Sequence, residues 1–413
     1  MNASPMARAA LSYPSFRRFQ SARFSVVFAS EMTSLAVGWQ LYELTHRPLD
    51  LGLAGLVQFL PGVILLPWTG RVADQYRRER VLRICYGTAL LWNVLFFTIA
   101  FTGKATPGLL YVVLTLSGVT RAFTGPAAQA LMPLLVEKAH FPNAVAWGSS
   151  IFQSATILGP ILGGLIYAAA HAAEAVYLAS VMGCALAMFA IGLVNPVQEQ
   201  VPTGGRGWAE LLAGFRCVFE RKVILGAMVL DLFAVLLGGA VALMPIYAKE
   251  ILQVGPSGLG LMRGAPGIGA VTTAIFIAFF PIARNAGKMM LYSVSAFGIA
   301  TVAFGLSTNL PLALVALFFV GATDMVSVIV RGTVVQLSTP DFMRGRVSSV
   351  NMLFIGASNE LGQFESGLLA EWVGAVNSVL IGGVGCVVVV AIVAVLFPEL
   401  RRIDRMTEVT PDS

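Results

Sequence analysis

The 413-residue chain is 57% hydrophobic and 12% charged, with mean hydropathy +0.80 and formal net charge +6. A typical soluble domain is about 25% charged, and here apolar runs of about twenty residues, enough to cross a bilayer core of ~30 Å, recur from end to end. This excludes a soluble domain and points to a polytopic membrane protein, in which backbone groups pair internally and helices are the simple solution.

Residues 1–16 lack the compact apolar core and cleavage site of a signal peptide, so the first apolar run is expected to stay as a spanning helix. Breaks at Gly, Pro and charge clusters divide the chain into twelve expected helices. Six lie at 18–44, 50–73, 81–101, 107–133, 142–170 and 174–195. Between the two sets, 196–221 begins as a Pro/Gly-rich linker. There Trp208, Leu211, Leu212, Phe215, Val218 and Phe219 recur at helical spacing opposite Glu210, Arg216 and Glu220. That pattern predicts a short amphipathic helix on the inner membrane surface. Six more helices are expected at 222–250, 256–281, 287–306, 310–338, 344–371 and 374–397. The expected organisation is all-α: a six-helix bundle over 1–195, a cytoplasmic linker over 196–221 and a second bundle over 222–413.

An even number of spans puts both termini on one side. Of the 27 Lys and Arg, 21 fall on the side of the termini, while Arg47, Lys104 and Lys249 fall on the other. The rich side is expected to be cytoplasmic. The basic residues are spread over short loops, which argues against nucleic-acid binding. Cys85, Cys184, Cys217 and Cys386 lie far apart, in apolar runs or a basic loop, and suggest neither disulfides nor a metal site. His46, His140 and His171 lie near loops with no ligand spacing and read as solvated. No nucleophile–base set or phosphate loop appears, so neither an enzyme nor a cofactor is expected.

The two halves repeat. LVQFLPG (56–62) aligns with LMRGAPG (261–267), so that Pro61 meets Pro266 at an offset of 205. SGVTRA (117–122) aligns with VGATDM (320–325), and ILGPILGGLIYA (157–168) with ELGQFESGLLAE (360–371), both at an offset of 203. Nearly one offset, in corresponding helices, argues for duplication, a transporter architecture whose site lies near midplane between repeats.

After the second expected helix, residues 70–80 read GRVADQYRRER. This resembles the signature loop of the major facilitator superfamily, Gly-x-x-x-Asp-x-x-Gly-Arg-Lys/Arg with a further basic residue. Gly70, Asp74, Arg78 and Arg80 match, and Arg77 stands where the family prefers Gly. Residues 155–164, ATILGPILGG, are similar to the Gly-x-x-x-Gly-Pro-x-x-Gly-Gly pattern of its proton-coupled antiporters. Gly159, Pro160, Gly163 and Gly164 match, with Ala155 in place of the first Gly. Generic small-residue packing is the other reading of that motif. WQLYELT (39–45), FPNAVAW (141–147), TPDFMRGRVSSVN (339–351) and FPELRRID (397–404) resemble the branch that includes bacterial enterobactin and macrolide exporters. The resemblance implies two pseudo-symmetric bundles in the bacterial inner membrane that alternate access to a small organic substrate. It also implies a latch, in which Asp74 meets the positive end of the eleventh helix near residues 340–349 while the arginines hold the outward-facing state.

Eight charges lie at least six residues inside the expected spans: Glu31, Asp231, Asp324, Glu360 and Glu365, against Arg121, Arg263 and Arg331. Each costs about 2.5–3.5 kcal/mol at a helix centre. Pairing removes most of that cost, yet five acids against three bases leave two carboxylates over. At 1.5 Å per residue, Glu31, Arg121 and Asp324 lie near midplane, while Asp231 and Arg331 share the inner half and are placed to pair. Glu360, Glu365 and Asp324 occupy the repeat positions of Ile157, Leu162 and Arg121, so shape is kept and charge is not. A spare carboxylate out of water can load and release a proton. The alternative is local satisfaction, by Ser358, Asn359, Gln363 and Ser366 around the two glutamates. On helix 1, Glu31, Leu35, Gly38 and Tyr42 share a face that suits an amphipathic substrate.

The expectation is a monomeric, proton-coupled exporter of an organic compound such as a siderophore or drug. An importer or lysolipid flippase on the same fold is the alternative, and a non-transporting scaffold or sensor is a third.

Overall fold

The computed structural model describes residues 5–196, 208–282, 284–340 and 342–404, and every regular element among them is helical. A 3₁₀ helix at Pro5–Ser12 precedes α1 (Pro14–Thr45), α2 (Pro48–Gln75), α3 (Arg78–Phe101), α4 (Pro107–Leu131), α5 (Phe141–Ala170) and α6 (Ala173–Gly192). Then follow α7 (Trp208–Glu220), α8 (Lys222–Leu237), α9 (Met244–Ile246), α10 (Gly255–Phe279), α11 (Ala286–Gly305), α12 (Leu310–Leu337), α13 (Arg344–Val373), α14 (Ala375–Leu396) and the short α15 (Pro398–Arg402). Among the described residues, ten spans are long and apolar enough to cross a membrane by length and composition. α1, of 32 residues, and α13, of 30, are long enough but are not among those ten. Both carry the acids and amides that make them interesting.

Helix starts follow local chemistry. Thr106 and Asn309 cap α4 and α12 by accepting from the backbone N–H three residues on, and each is followed by a proline in the first turn. The two caps are another trace of the repeat.

Contacts divide the chain into two compact units, residues 1–45 with 57–207 and residues 46–56 with 208–413. In the first unit, α1 packs on α5 and α6, and α3 on α4 and α6. In the second, α10 and α11 pack on α12, α11 on α14, and α13 on α8. The same glycines carry the packing in both. A Cβ at Gly118 would run into the carbonyl of Gln58, and one at Gly321 into the carbonyl of Pro266. Gly159 lets α5 lie against α1, since a Cβ there would stand 2.6 Å from the Glu31 Cβ. Its repeat partner Gly362 lets α13 meet α8, where a Cβ would stand 2.7 Å from the Leu236 carbonyl.

Three expectations are corrected. The single helix over 222–250 is broken: α8 ends at Leu237, and a 3₁₀ turn (Ala240–Leu243), α9 and a π-helical turn (Tyr247–Ile251) follow. Gly238 and Gly239 supply the break, for two adjacent glycines give up helix propensity. The amphipathic helix exists as α7, but its apolar residues do not form one membrane face. Phe215 packs on Phe354 of α13, Cys217 and Val218 are buried, and Leu212 and Phe219 are each 61% exposed. Trp208, Glu210 and Leu211 have side chains outside the described residues, as has the linker 197–207. His140 is not simply solvated, since its Nδ1 lies 3.0 Å from the Tyr13 hydroxyl.

Candidate functional site

The second unit holds a buried polar cluster where α8, α12 and α13 meet. Asp231 of α8 and Arg331 of α12 form an ion pair, Oδ2 to Nη1 at 2.9 Å, with side chains only 6% and 5% exposed. Arg331 Nη1 also donates to Asn351 Oδ1 of α13 at 3.2 Å. Asp324 stands seven residues, two turns, before Arg331 on α12. Among the described residues it has no hydrogen bond or ion pair. A void of about 10 Å³, room for about one water molecule, lies between Asp231, Asp324, Ser327 and Phe297. The Ser327 hydroxyl is buried there with no hydrogen-bond partner. Two carboxylates and one guanidinium thus share one apolar site. Fully ionised it carries one net negative charge, and one proton makes it neutral.

Of the other five charged candidates, Glu31 and Arg121 belong to the first unit and Arg263, Glu360 and Glu365 to the second. Glu31 stands over Gly159, and Gly163 lies against Met32, so the glycines of the helix-5 motif carry close packing of α5 on α1. Pro160 and Gly164 are buried beside them. Leu35, Gly38 and Tyr42, on the face expected to meet substrate, are buried, so that face is packed and not open. Arg121 donates to Gln58 Oε1 at 3.4 Å, and Gln58 in turn donates to Ser117. Arg263 is engaged, although its Nε is buried without a hydrogen bond.

The two glutamates of α13 point to different partners, as their spacing requires. Glu360 is 7% exposed and accepts from Gln363 Nε2 at 3.4 Å. Its Oε2 would touch a Cβ at Gly55, in the first turns of α2 that belong to this unit. Glu365 accepts from Ser366 at 3.5 Å. Ser358 and Asn359 spend their donors on the Ile355 carbonyl. At the end of the same contact, Arg47 Nε meets Glu371 Oε1 at 3.1 Å.

In the signature loop Arg78 is buried at the start of α3, Arg80 is exposed, and Arg77 Nε pairs with Glu79 Oε1 at 2.6 Å. The Asp74 side chain and Asp341 lie outside the described residues. A Cβ at Gly70 would meet nothing within 4 Å, so packing does not require that glycine. Beside the loop, a cavity of about 690 Å³ with apolar walls lies between α2, α3 and α4, with Arg77 and Arg80 at its edge.

Residues 4–411 match the family described as transmembrane secretion effector. The chain belongs to that family. The fold agrees: a nucleoside transporter, NupG, superposes with TM-score 0.71 at 14% identity, covering 93% of this chain and 100% of its own. A POT family transporter superposes with TM-score 0.73 at 11% identity, covering 93% and 96%. In sequence, the staphyloferrin A transporter of Staphylococcus aureus is 22% identical over 89% of this chain and 93% of its own length. The enterobactin exporter EntS of Escherichia coli is 23% identical over 94% and 93%. This transmembrane secretion effector protein is therefore a multi-pass secondary transporter with the major facilitator fold.

Several of its polar residues escaped sequence reasoning. Arg23 was counted with the basic N-terminal flank, yet α1 begins at Pro14 and carries it inside the unit. Glu43, near the other end of α1, accepts from Trp39 Nε1 at 2.8 Å and from the Tyr167 hydroxyl at 3.0 Å. Asn351 and Gln20 are neutral amides, invisible to a search for charge. A search for every polar side chain in the spans, charged or not, would have found them.

Proposed function

We propose that this transporter exports an organic compound, such as a siderophore or drug, in exchange for protons across the bacterial inner membrane. Both termini are assigned to the cytoplasm, on the strength of the Lys and Arg distribution. The observation that carries the coupling is Asp324, a carboxylate without hydrogen bond or ion pair beside the buried Asp231–Arg331 pair. With the proton on, the cluster is neutral and cheap to keep from water. With the proton off, two carboxylates compete for one guanidinium, and the packing of α12 against α8 is biased differently. Such a cluster lets a proton choose between conformers, as population shift requires. The export direction is supported by one relative's name, an enterobactin exporter, and by the helix-5 motif. In this account Gly70, Asp74, Arg78 and Arg80 act as the conformational latch.

The test uses inverted membrane vesicles with the lumen acidified. A panel of labelled organic acids and drugs is offered outside. Accumulation that follows the pH gradient and vanishes with a protonophore is expected for at least one compound. Gradient-driven loss of a preloaded compound from the lumen would identify an importer instead.

A further inference from the structure

The cavity beside the signature loop has a charged mouth and an apolar interior, and all of it lies in the first unit. Its volume of about 690 Å³ is within the range of small-molecule sites, about 300–1,000 Å³. Gln75, Tyr76, Arg77 and Arg80 stand at one end, where the apolar span Arg78–Phe101 begins. Trp92 stands at the other end, twelve residues along α3 from Arg80, or about 18 Å. That is a little over half of a bilayer core of ~30 Å, the depth of one leaflet. Near that far end α4 touches α2, where a Cβ at Gly118 would run into the Gln58 carbonyl. Between the two ends the walls ask for no polar partner. The Thr88 hydroxyl donates to the Cys85 carbonyl and lies 3.0 Å from the Thr120 hydroxyl, to which Trp92 Nε1 donates at 2.9 Å. Val72, Val81, Ile84, Leu116, Val119 and Phe123 complete the lining. The groove opens sideways, for Ile84 is 68% exposed.

At the mouth, Glu79 offsets Arg77. Arg80 is exposed, and among the described residues its side chain has no hydrogen bond or ion pair. An open groove one leaflet deep, apolar along its length and cationic at one end, matches a molecule with a long apolar tail and an anionic head. Basic pockets between spanning helices at headgroup level hold anionic lipids. We propose that this groove binds one anionic phospholipid, with the headgroup phosphate on Arg80 and an acyl chain laid along α3 as far as Trp92. A polar organic cargo would leave its own hydrogen-bonding groups unmatched against such walls, so the groove is a lipid site apart from the cargo path. The assignment holds whichever way the chain is inserted and whatever it exports.

Quenching of Trp92 by brominated lipid tests it, on the purified full-length protein in detergent micelles that contain phosphatidylcholine. The probes are phosphatidylglycerol and phosphatidylcholine, each brominated at mid-chain. The chain has six tryptophans, so the Trp92 signal is the difference between the parent and Trp92→Phe. Brominated phosphatidylglycerol should quench it saturably, at about one fifth of the mole fraction that phosphatidylcholine needs, the ratio given by ~1 kcal/mol for one basic residue at the headgroup. Arg80→Gln should bring the two lipids level. Val119→Phe fills the groove and leaves its charges in place, and should weaken both lipids about fivefold or more, the low end of overpacking costs. Unbrominated phosphatidylglycerol should compete, and glycerol phosphate, a headgroup without chains, should not. Melting curves show which variants fold, and if Arg80→Gln does not, Val119→Phe decides. Equal quenching by the two lipids in the parent overturns the proposal, since the groove then holds bulk lipid only. So does a preference that survives in folded Arg80→Gln or parental quenching in folded Val119→Phe, and so does competition by glycerol phosphate.

Discussion

Asp231 and Arg331 were legible as a pair from depth along their helices alone, and they meet at 2.9 Å. What depth did not show is that the pair is shared, through Asn351 and the void toward Asp324. Removing one partner of a buried pair strands the other charge, at about 3–5 kcal/mol, whereas replacing both by apolar groups is often neutral. Arg331→Met is therefore expected to lower unfolding stability in detergent by about that amount, and Asp231→Leu with Arg331→Met together to recover most of it. A double variant as unstable as the single one would contradict the pairing. Asp324→Asn removes no hydrogen bond and should melt like the parent. For Glu360 and Glu365 the sequence left satisfaction by neighbours open, and Gln363 and Ser366 supply it. Arg23 was missed because a basic residue near a chain start reads as an anchor.

At the scale of elements, helix positions were well read and helix interruptions were not. Hydropathy is continuous through 222–250, and it does not register that Gly238–Gly239 and Pro245 weaken the helix locally. The helical period found α7 but not its partner, because period alone does not say whether an apolar residue meets lipid or α13. Glycine spacing was more informative. Gly159 and Gly362 are repeat partners, and each stands where a Cβ would be under 3.0 Å from a neighbouring helix. Gly159→Val and Gly362→Val should each cost about 1–3 kcal/mol through forced helix separation. Gly70→Ala, which meets nothing within 4 Å, should melt at the parental temperature. Equal losses at all three would mean that the losses report helix propensity and not helix contact.

At the scale of the molecule, composition points to a polytopic helical membrane protein, and the two offsets in the repeat point to a duplicated architecture. The direction of insertion rests on Lys and Arg. Cysteines placed at Lys104 or His171 should react with an impermeant thiol reagent from outside, and ones at Arg77 or Arg206 should not. The reverse pattern would invert the topology. Function was legible only to the level of a transporter, because the repeat preserves shape while charge diverges between the halves. The latch has its own check: Asp74→Asn should insert normally, transport poorly and favour inward-facing conformers. The central claim is that the unpaired carboxylate of Asp324 carries the coupling proton. The direct measurement compares two fluxes of one substrate in Asp324→Asn vesicles, uphill accumulation driven by a pH gradient and counterflow without one. The account predicts that uphill accumulation is lost while counterflow continues. Uphill accumulation at the parental rate, with the parental pH dependence, would contradict it.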